Sequence, residues 1–341
     1  MANPYFKHFI KFLKYFFTLG IAAFLLWYVY RDIDFEEAIL KRFKFVNYSW
    51  VILSIILAIG SHYLRAYRWN LLIEPLGYKH LKTWRTFLAV MVGYFANLFV
   101  PRMGEITRCG ILKKTDDVAI TSSFGTVVAE RVLDLLILIL MILFGFLVQF
   151  NKLSDFMKTH FLGNYETIRH FAIIGIVILI VTGILLLLIM RIFREQIRRN
   201  PLILKIRTFI RELAEGLLSI RQIKSKWGFW MSTILIWLFY YLMAYIVFFA
   251  VPETSTLSPM AGLSVLIMGG LAMSTPVQGG FGAYHMFVSS ILVLYGIAPE
   301  DGKFFAFLLH TSQFMTVLVV GGISFVISLL LTRKTNYDHK K

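Results

Sequence analysis

Apolar runs close to the length of a bilayer-crossing helix recur along the whole chain. Residues 15–30, 50–67, 135–150, 171–190, 229–250, 258–275 and 304–331 contain few or no charges. A helix needs about 20 apolar residues to cross the hydrocarbon core, and soluble proteins do not carry so many such runs. No ten-residue alternation suggests a membrane barrel. Two stretches are interrupted: 84–118 by "PRMGE" at 101–105, and 258–298 by "PVQGGFG" at 276–282. Each reads as two helical arms around a Pro/Gly turn. The pattern predicts an all-α polytopic integral membrane protein forming one domain over 1–341. It has about six full spans plus two broken helical hairpins, or about eight transmembrane helices if the hairpins span. The pairing of the breaks would make the halves an inverted repeat.

Composition and charge refine this picture. Hydrophobic residues make up 58% of the 341 and aromatics 16%, while the formal net charge is +16. In a soluble chain that charge would suggest nucleic acid. In a membrane protein it follows from retention of Lys and Arg on the cytoplasmic side. Residues 191–226 carry ten Lys or Arg and are assigned to the cytoplasm, as is the basic tail 332–341. Working outward from these, both termini and the segment 68–85 are cytoplasmic, with Arg68, Lys79, Lys82 and Arg85 counted as loop charges. The first hairpin then enters from the cytoplasm and the second from outside. Twenty-five of the 35 basic residues fall on the cytoplasmic side. The first run ends in Trp27, Tyr28 and Tyr30, an interfacial belt rather than a cleavage site, so a retained first span is expected. From about 200 to 224, Asn200 and Pro201 open a helix with Ile206, Phe209, Leu213, Leu217 and Ile220 on one face and Arg and Lys on the other. This predicts an interfacial helix on the anionic inner leaflet.

The lone cysteine, Cys109, excludes an intrachain disulfide, and no ligand spacing predicts a metal or cofactor. The candidate chemistry lies in the breaks. Irregular backbone at membrane depth survives only where protein or water satisfies it. In the first break Pro101 withholds a donor, Gly104 permits a tight turn, and the following helix offers free N–H groups to an anion. Arg102 adds a planar cation suited to phosphate, with Glu105 or a second carboxylate expected as its partner. Glu130 and Asp134 lie four apart on one helix face beside Arg131, and the small polar stretch "AITSSFGTVVAE" before them is expected to line a wet cavity. Charges at depth are a functional signal, but they also serve as a static ion-pair network between helices. The second break, with Pro276, Gly279, Gly280 and Gly282, reads either as the other half of a site or as a close-packing device.

The pieces "LRAYRWNLLIEPLG" (64–77), "GYFANLFVPRMGEITRCGIL" (93–112), "ERVLDL" (130–135) and "PVQGGFGAYH" (276–285) resemble, in order, the flippase-like family that includes the transmembrane domain of lysylphosphatidylglycerol synthases, the multiple peptide resistance factors. The resemblance implies movement of lipids between leaflets of the cytoplasmic membrane. It also implies substrate-binding roles for Asn97, Pro101, Arg102, Gly104, Glu105, Arg108, Glu130, Arg131, Asp134, Pro276, Gly279, Gly280, Gly282 and His285. A cytoplasmic basic and aromatic motif would be formed by Arg65, Arg68 and Trp69. The first turn is one residue shorter than the common family spacing, and many members carry a carboxylate where this chain has His285. The aminoacyl-transferase domain of the full synthases is not expected, so lysyl lipid would be made by a separate enzyme.

The expected function is that of a lipid flippase, with membrane lipids as partners, a headgroup cavity between the two hairpins and no enzymatic activity. A membrane enzyme acting on a lipid phosphate, or a scaffold for an envelope-synthesis partner, are the alternatives. Homo-oligomerisation is left open. The charge tally makes a direct prediction. In a Cys109→Ser background, Lys205→Cys and Asp338→Cys should react with an impermeant thiol reagent only after the cytoplasmic face is opened. Labelling from the outside of intact cells would overturn the assignment.

Overall fold

The computed structural model describes residues 18–79, 81–149, 222–275 and 277–338. Among them the chain is helical, with no strand. The helices are α1 (Thr18–Tyr30), α2 (Tyr48–Ile73), α3 (Thr83–Phe99), α4 (Gly104–Asp116), α5 (Ile120–Val148), α6 (Lys226–Tyr245), α7 (Pro259–Ser274), α8 (Ala283–Val293) and α9 (Pro299–Asp338). Among the described residues, four helical stretches are long and apolar enough to cross a membrane: Tyr48–Leu76, Ile120–Val148, Lys226–Ala250 and Pro299–Leu331. The chain is therefore a polytopic α-helical membrane protein. The run expected over 171–190, most of the helix expected at 200–224 and Pro276 lie outside the described residues. α9 continues to Asp338, into the basic tail, because no Pro or Gly in "TRKTNYD" stops it.

Local chemistry sets the helix ends. Asn47 caps α2 by accepting from the Ser49 N–H at 3.2 Å. Ser225 caps α6 by accepting from the Gly228 N–H at 3.3 Å. Pro259 and Pro299 occupy the first positions of α7 and α9, where a missing N–H costs nothing. On α5, Leu135, Leu136, Ile139, Leu140, Leu143, Phe144 and Leu147 are exposed. Such a stripe on a hydrophobic helix faces lipid in a membrane protein.

Both interrupted stretches fold as helical hairpins. The arms are 17 and 13 residues in α3 and α4, and 16 and 11 in α7 and α8. All four fall short of the ~20 residues that span a bilayer. α2 organises the hairpins from its two ends. Near its start, Val51 joins a core with Val265 of α7, Val288 of α8 and Phe304 and Phe305 of α9. Near its end, Ala66, Trp69 and Leu72 join a core with Ala89 of α3 and Cys109 and Leu112 of α4. Val51 and Ala66 are separated by about 22 Å along the helix at 1.5 Å per residue. The two hairpins thus pack at opposite ends of one long helix, and their turns come together between.

α3 and α4 cross at glycines. A Cβ on Gly93 would lie 2.8 Å from the Gly104 carbonyl oxygen, and one on Gly104 would run into the Gly93 carbonyl. Gly110, on the same helix, has open space around it. Gly104→Ala should therefore destabilise the protein by about 1–3 kcal/mol through overpacking, whereas Gly110→Ala should be neutral or stabilising by up to about 1 kcal/mol through helix propensity. Thermal unfolding in detergent distinguishes the two. Equal stability of the two variants would show that the hairpin arms do not meet at Gly104.

Candidate functional site

The charged residues converge on a buried network between α2, α4 and α5. Arg65 and Arg68 are three apart on α2, and Glu130 and Asp134 four apart on α5, so each pair presents to one face. Arg65 Nη1 donates to Asp134 Oδ2 at 2.9 Å and also to Glu130 Oε1. Arg68 Nη2 donates to Asp134 Oδ1 at 2.8 Å and stands 3.5 Å from Glu130 Oε1. Arg108 of α4 donates to Glu130 Oε2 at 3.2 Å. Arg65, Arg68, Arg108 and Glu130 are each no more than 4% exposed. Arg65 also donates to the Tyr240 hydroxyl of α6 at 2.9 Å. The Arg108 guanidinium lies 4.5 Å over the Trp69 ring, whose N–H donates to Thr126 at 2.8 Å.

This arrangement corrects three expectations. Arg68 is not a loop charge: it lies within α2, where it and Arg65 are internal partners of the α5 carboxylates. In the first half of α5, expected to line a wet cavity, Ser123 and Thr126 are instead fully buried and bonded to backbone carbonyls of their own helix, while Thr121 is exposed. Arg102 has no carboxylate partner among the described residues. The α5 carboxylates are already engaged by Arg65, Arg68 and Arg108, and Glu105 pairs with Arg131 at 2.9 Å. Arg102 instead stands exposed on the turn, in the left-handed conformation at φ +63°. That conformation costs an ordinary residue about 1–2 kcal/mol.

Counting the clustered groups, Arg65, Arg68, Arg108 and Arg131 face Glu105, Glu130 and Asp134. One positive charge is left over. Beside it lies a small cavity lined by Gly93, Tyr94, Asn97, Glu105, Arg108 and Arg131. Its ≈10 Å³ holds about one water. Glu105 Oε2 and Arg108 Nε are buried there without a partner. Asn97 caps the turn by accepting from the Gly104 N–H at 2.7 Å. This cavity lies between the first hairpin and α5; the sequence predicts a headgroup cavity between the two hairpins. The hairpin turns themselves are in contact: Gln278 Nε2 donates to the Phe99 carbonyl at 3.0 Å.

In the second turn Gly279, Gly280 and Gly282 have φ of +56°, +72° and +78°, values that favour glycine. Gly280 is buried, and a Cβ there would lie 2.6 Å from Met273 Sδ; it packs rather than lining open space. Gly282 lets the α1 backbone pass, with Leu26 N 2.9 Å from a Cβ position. His285 is buried, and its Nδ1 accepts from the Gly282 N–H at 3.2 Å. Pro101 lies in the first turn, half-buried.

Sequence reasoning passed over Tyr240, Gln278 and His310. His310 was the findable one, a lone ionisable side chain within the apolar run of α9.

Long apolar helices and broken hairpins packed around a buried, net-positive ion network define a polytopic α-helical membrane protein. The chain matches the lysylphosphatidylglycerol synthase TM region family over residues 15–321 and belongs to that family. It is also similar to the UPF0104 membrane protein MJ1595 of Methanocaldococcus jannaschii, 37% identical over 112 residues. That match spans 32% of this chain and 33% of the relative, so the chain covers about a third of the relative's length. No solved structure matches.

The network predicts a graded stability response. Glu130→Gln leaves Arg65, Arg68 and Arg108 facing a single carboxylate, and should cost about 3–5 kcal/mol. Asp134→Asn, at a partly open position, should cost less. Unfolding temperatures of the purified variants test the order, and an unperturbed Glu130→Gln protein would show that the network is not the centre of the fold.

Proposed function

We propose that this protein moves an anionic phospholipid or lipid-linked headgroup between the leaflets of the cytoplasmic membrane. Both termini lie in the cytoplasm, and the membrane lipid itself is the partner. The observation that carries the reading is the leftover positive charge of the buried network, next to the meeting point of two broken hairpins. A phosphate answers such a charge, and arginine is suited to it through bidentate hydrogen bonding. Acyl chains would remain in lipid along the apolar exterior. The turns in contact correspond to a closed arrangement, and the headgroup passes when they part. Every carboxylate of the cluster is already committed to arginine, which favours transport over acid–base chemistry. No cofactor is invoked, and any lipid-modifying step belongs to a separate enzyme.

Arg102 receives the headgroup at the turn. An exposed, unpaired arginine held at positive φ is poorly explained by stability, and strain of this kind marks functional positions. Arg102→Gly should keep or raise stability, by about 1 kcal/mol. The same change should slow lipid crossing by roughly tenfold or more, the loss expected for hydrogen bonds to a charged group. A leaflet-resolved assay with purified protein in vesicles measures the rate, and unfolding measures stability. Wild-type crossing in the Arg102→Gly protein would remove Arg102 from the site. Absence of crossing by the wild type would end the transport reading.

A further inference from the structure

Two buried histidines in the second half carry complementary orphan atoms. His285 of α8 is 1% exposed and His310 of α9 5%. Their rings lie 4.8 Å apart, edge to face. The neighbours decide which nitrogen holds the proton. The Gly282 N–H donates to His285 Nδ1, so Nδ1 bears the lone pair and Nε2 the hydrogen. His310 Nε2 stands 2.8 Å from the Gly279 carbonyl, which only accepts, so Nε2 bears the hydrogen and Nδ1 the lone pair. The two remaining nitrogens, His285 Nε2 and His310 Nδ1, are buried without a partner. One is a donor and the other an acceptor.

Aromatic rings surround the pair. Tyr30 of α1 lies 5.7 Å from His285 and Tyr284 4.9 Å from His310, with Phe281 and Phe307 alongside. Tyr30 and Tyr284 are the titratable groups in contact. α7, α8, the second turn and α1 as described carry no charged side chain. Arg31, after α1, pairs with Asp32. On α9, Asp301 is tied to Arg42, and neither Glu300 nor Lys303 forms an ion pair with either ring. An imidazolium enclosed in this way has no counter-charge among the described residues.

We propose that His285 and His310 form a proton-binding site, filled when an anionic headgroup occupies the meeting point of the two turns, so that lipid and proton cross together. The proposal rests on the transport reading above and supplies its coupling ion. The proton comes from the aqueous phase on the entry side, binds the Nδ1 lone pair of His310 and leaves to the opposite phase; no other bond forms or breaks. The anion provides a counter-charge absent among the described residues, and by linkage each ligand favours the other. The connection is short. His310 holds the Gly279 carbonyl, and the adjacent Gln278 holds the Phe99 carbonyl, three residues before Arg102. Protonation makes His310 a stronger donor to the turn.

The test uses the full chain in vesicles of phosphatidylcholine and phosphatidylglycerol. Crossing of labelled phosphatidylglycerol is followed with a trapped pH dye, and the histidine nitrogens by NMR of ¹⁵N-histidine protein. Lipid crossing should speed up several-fold when the entry side is acidified, with dye-reported proton movement. Phosphatidylglycerol should promote protonation of one histidine, whereas phosphatidylcholine alone should not. His310→Gln keeps an N–H for the Gly279 carbonyl, so it should fold normally yet lose the acceleration, the dye signal and the titration. Crossing that ignores the gradient, together with histidines that stay neutral, overturns the proposal and leaves a pair bridged by a structural water. A gradient response that survives in His310→Gln also overturns it. Lipid-dependent protonation without any crossing would keep the proton site and remove the transport reading instead.

Discussion

Everything in this fold depends on keeping charge inside an apolar protein. Three arginines and Glu130 are buried together from α2, α4 and α5, with Asp134 half-buried beside them, and in that setting a charge is tolerable only when paired and hydrogen-bonded. The network therefore dictates helix placement. Glu130 reaches Arg65, Arg68 and Arg108 only if α5 runs against α2 and α4. Trp69 extends the same junction, lying under Arg108 and bonding back to α5 through Thr126. An apolar core gives no comparable directionality, because one lipid-like surface packs much like another.

The second constraint is backbone satisfaction at the breaks. A turn at membrane depth exposes N–H and C=O groups that lipid cannot solvate. The protein meets this with side chains: Asn97 for the first turn, His285 and His310 for the second, and Gln278 between the two. The groups that cap the turns are therefore also those that join them. On the proposed transport reading, a headgroup that parted the turns would have to replace these bonds.

Small residues determine how closely the parts approach. Gly93 and Gly104 bring the arms of the first hairpin together, and Gly282 lets α1 pass the second turn. Gly280 has the same character, packed against Met273 rather than facing open space. Among the described residues a water-sized cavity lies beside Arg108 and Glu105.

The sequence by itself determined the class of protein, the long helices among the described residues, the two breaks and the charged stretch "ERVLDL". These follow from local quantities: the length of an apolar run, the backbone limits of Pro and Gly, and the cost of a charge in hydrocarbon. Tertiary structure alone decided the pairing. Helical spacing shows that Glu130 and Asp134 share a face, but not that the face meets Arg65 and Arg68, some 65 positions earlier, rather than Arg102 nearby. Arg68 looked like a loop charge because it ends a run, yet α2 carries it past that point into the protein. His310 was visible as a lone ionisable residue in an apolar helix, but its relation to His285 arises only where α8 packs on α9. Periodicity specifies which side chains lie on the same face; which face meets which is set by the competition of all charges for partners, and that competition is settled only in the folded chain.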